Sequence, residues 1–143
     1  MNKSIKELEE EIIEEFSLFD DWMGKYEYII EIGKKLPLID PKFKTEEFKV
    51  KGCQSQVWLS SEMKDGKLFY YADSDAVITK GIISLLIRVL SGHKPGEIAE
   101  ADMNFINKIG LKEHLSPNRA NGLTAMINYM KKYAAAYAEQ NVN

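Results

Sequence analysis

Sulfur and imidazole are scarce in this chain of 143 residues, which has one cysteine, Cys53, and two histidines, His93 and His114. One cysteine excludes a disulfide framework and an internal dithiol cycle, and suits a reducing compartment. One thiol and two scattered imidazoles also fall short of the convergent ligands a metal needs, so no metal site is expected. The net charge is −3, and no Lys/Arg stripe of the kind nucleic acid requires is present. Residues 1–21 hold two lysines against eight carboxylates, which leaves the remainder mildly basic. The most apolar stretch is broken by Lys80 and Arg88, with seven residues between them, against roughly 20 for a bilayer span. Met1-Asn2-Lys3-Ser4 runs straight into an acidic amphipathic stretch, unlike a secretory signal or transit peptide. No repeat or low-complexity linker divides the chain. The expectation is one cytoplasmic domain over residues 1–143 that engages neither nucleic acid nor membrane.

What is present reads as α+β. Ile5, Leu8, Ile12, Phe16 and Phe19 form one helical face, and Ser4 with Glu7 fits a capping box at its start. Asp20 or Asp21 caps a second helix with Trp22, Tyr26, Ile29, Ile30, Gly33 and Leu36 inward, stopped by Pro37. Residues 38–47 connect. Phe48 and Val50 alternate with lysines, and Val57-Trp58-Leu59 and Leu68-Phe69-Tyr70-Tyr71 flank an Asp65-Gly66 turn. Three short antiparallel strands are expected, packed with several helices. A core helix follows Asp73-Ser74-Asp75, both aspartates reading as caps, and runs to about Ser91. Short helices are expected over 97–100 and 104–109. A last helix opens at Ser116-Pro117 and turns Leu123, Met126, Ile127, Met130, Tyr133 or Ala134, and Tyr137 inward.

Cys53 lies on the first connection of the sheet, after Gly52 and before Gln54-Ser55-Gln56. A free cysteine usually packs as a small apolar residue. On a polar turn with a glycine joint it is also placed for sulfur chemistry: to attack, carry a group and hand it on. Lys49 and Lys51 are candidates to favour the thiolate, or simply the solvent face of an edge strand. His114 as base to Cys53 would make a Cys–His acyl-transfer site, which also needs an oxyanion hole. Arg119 sits in the first turn of the last helix, where the helix dipole disfavours a cation, so a role in holding a loop or a partner is open to it.

Five blocks of sequence carry a resemblance. They are Trp22 with Lys25-Tyr26 and Tyr28-Ile29-Ile30; Gly33 with Leu36-Pro37; and Val50 with Gly52-Cys53-Gln54-Ser55-Gln56-Val57-Trp58. Asp73-Ser74-Asp75-Ala76 with Lys80-Gly81, and His114-Leu115-Ser116-Pro117 with Arg119, Gly122-Leu123 and Ala125-Met126, complete the set. In this order and spacing the chain resembles the SufE family of sulfur acceptors. The resemblance implies that Cys53 takes the terminal sulfur from a persulfide on a pyridoxal-phosphate (PLP) dependent cysteine desulfurase of the SufS type. Cys53 would then pass it to an iron–sulfur scaffold such as the SufBCD complex. It implies an activator without turnover of its own and without a resident cofactor, acting as monomer or homodimer, in the SufE or the related CsdE-type branch. It also implies a fold similar to IscU-type scaffolds without their three cysteines, with Gly52, Gln54 and Ser55 supporting the loop and Arg119 contacting loop or partner. Val57, Trp58 and neighbouring helices are expected to shelter the loaded sulfur. A metal scaffold and a Cys–His hydrolase are the rival readings.

Overall fold

Ser4 opens the first helix, α1 (Ile5–Phe16), in the computed structural model, which describes residues 3–140. Its hydroxyl accepts from the Glu7 N–H at 3.1 Å, and the Glu7 carboxylate accepts from the Ser4 N–H at 3.0 Å. This is the expected capping box. Asp21 caps α2 (Trp22–Lys34) by accepting from the Gly24 N–H at 2.9 Å. Two single 3₁₀ turns, Pro41–Phe43 and Glu46–Phe48, lead to a hairpin of β1 (Val57–Lys64) and β2 (Lys67–Ser74). The strands pair antiparallel from Val57 opposite Ser74 to Lys64 opposite Lys67. Asp65 and Gly66 both have positive φ, 54° and 79°, which matches the twist of the turn to that of the strands.

The sheet has two strands, where three were expected. Phe48 is spent in the turn that bonds the Lys49 N–H to the Glu46 carbonyl, and Gly52 turns the chain away at φ +96°. Only Lys49 and Val50 are left beside β1, and they make one bridge, Lys49 opposite Trp58, and one bond, Val50 N–H to Val57 C=O. Two residues cannot sustain a ladder. The alternation of Phe48 and Val50 with lysines was too short to carry a period.

The core helix is α3 (Val77–Leu90), and Ile83, Leu85, Leu86, Val89 and Leu90 are wholly buried. Neither aspartate caps it: Ala76 holds the cap position, its N–H donating to the Ser74 hydroxyl at 3.2 Å. Three short helices follow, α4 (Pro95–Glu100), α5 (Phe105–Lys108) and α6 (Leu111–His114). The 24-residue α7 (Pro117–Gln140) buries Gly122, Leu123, Met126, Met130 and Ala134. Its start is held by Ser116, whose hydroxyl accepts from the Arg119 N–H at 3.3 Å. β2 turns Leu68, Tyr70 and Ala72 onto the core, and the Tyr70 hydroxyl donates to the Met130 carbonyl at 2.5 Å. Among the described residues no helix is long and apolar enough to cross a membrane.

Candidate functional site

Cys53 stands at the tip of a loop, residues 51–56, whose neck is closed by the Val50 N–H donating to the Val57 carbonyl at 2.8 Å. One face of α7 runs beneath that loop. The Cys53 Sγ lies 3.6 Å from the Gly122 carbonyl oxygen, which accepts the thiol proton. Gly52 passes over Ala125; a Cβ on Gly52 would sit 3.3 Å from the Ala125 methyl, and its φ of +96° is glycine territory. The Tyr129 hydroxyl accepts from the Lys51 N–H at 3.0 Å. Residues 122, 125 and 129 are three and four apart, so one helix face meets three successive loop residues.

The far limb of the loop is tied elsewhere. Gln54 accepts from the Asn118 side-chain amide at 3.0 Å. Gln56 gives both its backbone N–H and its side-chain amide to the Asp75 carboxylate, at 3.0 and 3.3 Å, and the Asp75 N–H returns a bond to the Gln56 carbonyl. Asp75 is thus a loop anchor and no helix cap. Asp73 pairs with Lys44 and Lys80 at 3.1 and 3.3 Å. Burial alone pushes the Asp73 carboxyl up, but the Ser74 N–H and the two ammonium groups outweigh it and hold the group below its ordinary range.

Beside the thiol opens a cavity of about 360 Å³. Buried Thr79 and Ile82 from α3 and Gly122 and Met126 from α7 line it, with Ser55 of the loop and exposed Ser116, Asn118 and Arg119. Val57 and Trp58, expected to shelter the sulfur, are absent from its lining. Both open β1 at the neck of the loop, while its tip folds back onto α7. The buried walls of the cavity come from α3 and α7.

The half-buried thiol is pushed above its ordinary pKa by that burial. Lys49 and Lys51 do not counter it: both ammonium groups turn to Glu46, at 2.6 and 3.7 Å. Arg119 donates from its guanidinium to the Tyr26 hydroxyl at 2.6 Å, not to the cysteine loop, and so ties the start of α7 to α2 at the cavity edge. His114 stacks on Trp22 with ring centroids 4.3 Å apart and bonds the Gly110 carbonyl at 2.8 Å. His93 bonds the carbonyls of Leu90 and Lys3. Neither imidazole lines the cavity, so the hydrolase reading has no base in place. Among the described residues no three His, Cys, Asp or Glu side chains gather as metal ligands.

Of the residues singled out from sequence, the fold brings Cys53, Gln54, Ser55 and Arg119 to one cavity, with Gly52 at its rim. Asn118 and Tyr129 were missed. No periodicity or motif marks a side chain whose tie to the loop is a single bond to a residue 64 or 78 positions away. Gly122 stood among the matching blocks without a role, and its contact with sulfur supplies one.

Comparison with known proteins identifies the family. Residues 10–134 match the family model described as "SufE: Fe-S metabolism associated domain". The chain is 41% identical over 130 residues to an uncharacterized SufE-like protein of Rhizobium meliloti (strain 1021), covering 87% of this chain and 93% of that one. It is 41% identical over 126 residues to SufE-like protein 1, chloroplastic/mitochondrial, of Arabidopsis thaliana, covering 87% of this chain and 34% of that longer protein. The fold is similar to the solution structure of a hypothetical protein from Thermus thermophilus, with a TM-score of 0.75 at 23% identity over 90% of this chain and 94% of that one. The chain belongs to the SufE family.

Proposed function

We propose that this member of the SufE family carries sulfur as a persulfide on Cys53, between a PLP-dependent cysteine desulfurase of the SufS type and an iron–sulfur assembly scaffold of the SufBCD type. The observation that supports it best is a lone thiol at the tip of a glycine-jointed loop, beside an open cavity and with no base at hand.

The chemistry asks for little else. The Cys53 thiolate attacks the outer sulfur of the desulfurase persulfide. An S–S bond forms at Cys53, the bond between that sulfur and the desulfurase cysteine breaks, and the latter departs as thiolate. The sulfane sulfur moves with its oxidation level, so no outside oxidant is required. Such exchange depends on thiolate fraction, nucleophilicity and access. In the conformation described here burial keeps the thiol protonated and the backbone carbonyl of Gly122 holds its proton. This is a sheltered state, suited to guarding a loaded sulfur. Transfer uses a second position in which the loop turns about Gly52 and presents Cys53 to the partner.

Anaerobic incubation with a cysteine desulfurase and cysteine, read by intact mass, tests the reading. The expected result is a gain of one sulfur on the wild-type chain and none on Cys53→Ser, with partner binding retained. A serine variant that stimulates the desulfurase fully would sink the acceptor role.

A further inference from the structure

We infer that Tyr129 is a positioning residue for Cys53: its hydroxyl holds the near limb of the cysteine loop against α7 and so sets how often the thiol leaves its shelter. The inference rests on the sulfur-acceptor reading only for the purpose of that motion.

The loop has two limbs. The far limb is fixed by several bonds, from Gln56 to Asp75 and from Asn118 to Gln54. The near limb, from the neck at Val50 to Cys53, has among the described residues one hydrogen bond to a side chain, Lys51 N–H to Tyr129 hydroxyl at 3.0 Å. Beyond it lie Gly52, free to pivot, and the weak thiol contact with the Gly122 carbonyl at 3.6 Å. The Tyr129 bond therefore stands between the fixed neck and the mobile joint. The hydroxyl is itself well placed, because the Tyr129 ring packs edge-on against Tyr133 with centroids 6.4 Å apart, one helical turn along.

Lys51 is exposed, so in the open loop its N–H bonds to water. The Tyr129 bond is made only in the sheltered arrangement, and its whole net worth falls on the balance between the two. A neutral hydrogen bond of this kind shifts an equilibrium by about three- to tenfold. Removing the hydroxyl while keeping the ring should raise the open population by that factor. Ring packing and the α7 core are left alone, because the substitution removes only the hydroxyl.

The test is the rate at which iodoacetamide alkylates Cys53 in the free, full-length protein, with no desulfurase present. Tyr129→Phe should alkylate about three- to tenfold faster, with the pH midpoint of the reaction moved down toward that of a free thiol. Amide exchange at Lys51 should quicken, and the thermal midpoint should fall only by the few degrees that loss of one hydrogen bond entails. Tyr133→Phe, one turn away, should match wild type in all three. Unchanged alkylation in Tyr129→Phe overturns the inference, and so does an equal acceleration in Tyr133→Phe, which would mark general loosening of α7. Because the assay needs no sulfur donor, failure of the acceptor role would appear separately, as absence of the added sulfur in intact mass.

Discussion

The sulfur of Cys53 meets bare helix backbone at Gly122, and that bareness has a use. A Cβ at position 122 would lie 3.4 Å from Sγ and 3.8 Å from the Cys53 Cα and Cβ, an ordinary contact with the thiol as it stands. It would also fill the wall where a second sulfur on Cys53 needs room. Gly122→Ala gains helix propensity worth about 1 kcal/mol, so the fold should hold or tighten. Persulfide retention on Cys53 should nonetheless fall severalfold, measured by intact mass over time with external thiol present. Equal retention would place the terminal sulfur elsewhere in the cavity. Arg119 poses a second question at this scale. It is exposed, and its guanidinium is held by the Tyr26 hydroxyl. Arg119→Ala should cost about 1 kcal/mol of stability, for the lost bond to Tyr26, and lower desulfurase stimulation as well. Arg119→Lys, which keeps charge but not the planar fork, should recover part of it. If Tyr26→Phe lowers stimulation as well, the held geometry of the guanidinium matters and not charge alone. Stimulation at the wild-type level in both Arg119 variants removes Arg119 from the site.

Between elements the tightest place is the crossing of α2 and α3. A Cβ on Gly81 would lie 2.2 Å from the Ile29 carbonyl oxygen and 2.8 Å from its carbon, and one on Gly33 would lie 2.7 Å from the Gly81 nitrogen. Backbone cannot move aside as a flexible side chain does. Gly81→Ala should therefore cost about 3 kcal/mol in chemical denaturation despite its better helix propensity. Gly96→Ala in α4, where a Cβ meets nothing within 4 Å, should be neutral or gain up to about 1 kcal/mol. The same contrast explains what the sequence made legible. The capping box at Ser4, the Asp65-Gly66 hairpin and the buried circumference of α3 are local patterns, and each appears where the pattern predicts it. Phe48 to Val50 failed as a strand because the 3₁₀ turn at Glu46 and the turn at Gly52 override a two-residue alternation. Asp75 failed as a cap because its partner, Gln56, is 19 residues away. The site was half legible for the same reason. Cys53, Gly52 and Gln54 announce themselves as a motif, whereas Asn118, Tyr129 and the walls from α3 and α7 reach the loop only through folding.

Across the whole molecule, α1 joins the core through Ile12 and Phe16 and carries two carboxylates of opposite character. Glu15 accepts from the Arg88 guanidinium of α3 and from the Tyr28 hydroxyl of α2. Arg88 first, with Tyr28 adding to it, holds the Glu15 carboxyl below its ordinary range against the opposing effect of burial. Earlier on the same helix, Glu9 has a buried carboxylate oxygen without a hydrogen-bond partner among the described residues. Burial first, then the negative charge of Asp102, push its carboxyl up, with Lys108 and Lys6 too weak to reverse this. The two should act on stability in opposite senses. For Glu15 the folded pKa is depressed, so its contribution is complete above the unfolded value of about 4.3 and is lost as pH falls through the folded one. Glu15→Gln should then destabilise by about 1 kcal/mol at pH 7, the pair being partly exposed, and the gap to wild type should close in acid. For Glu9 the folded pKa is raised, so ionisation costs stability above that folded value, and the cost vanishes below the unfolded one. Glu9→Gln should raise the thermal midpoint at pH 7, and the gain should disappear near pH 4 and below. Thermal midpoints of the three proteins from pH 3 to pH 8 would fan out on either side of wild type and converge in acid. Two variants shifting the same way at pH 7 would show that the carboxylates of α1 act through packing instead of charge.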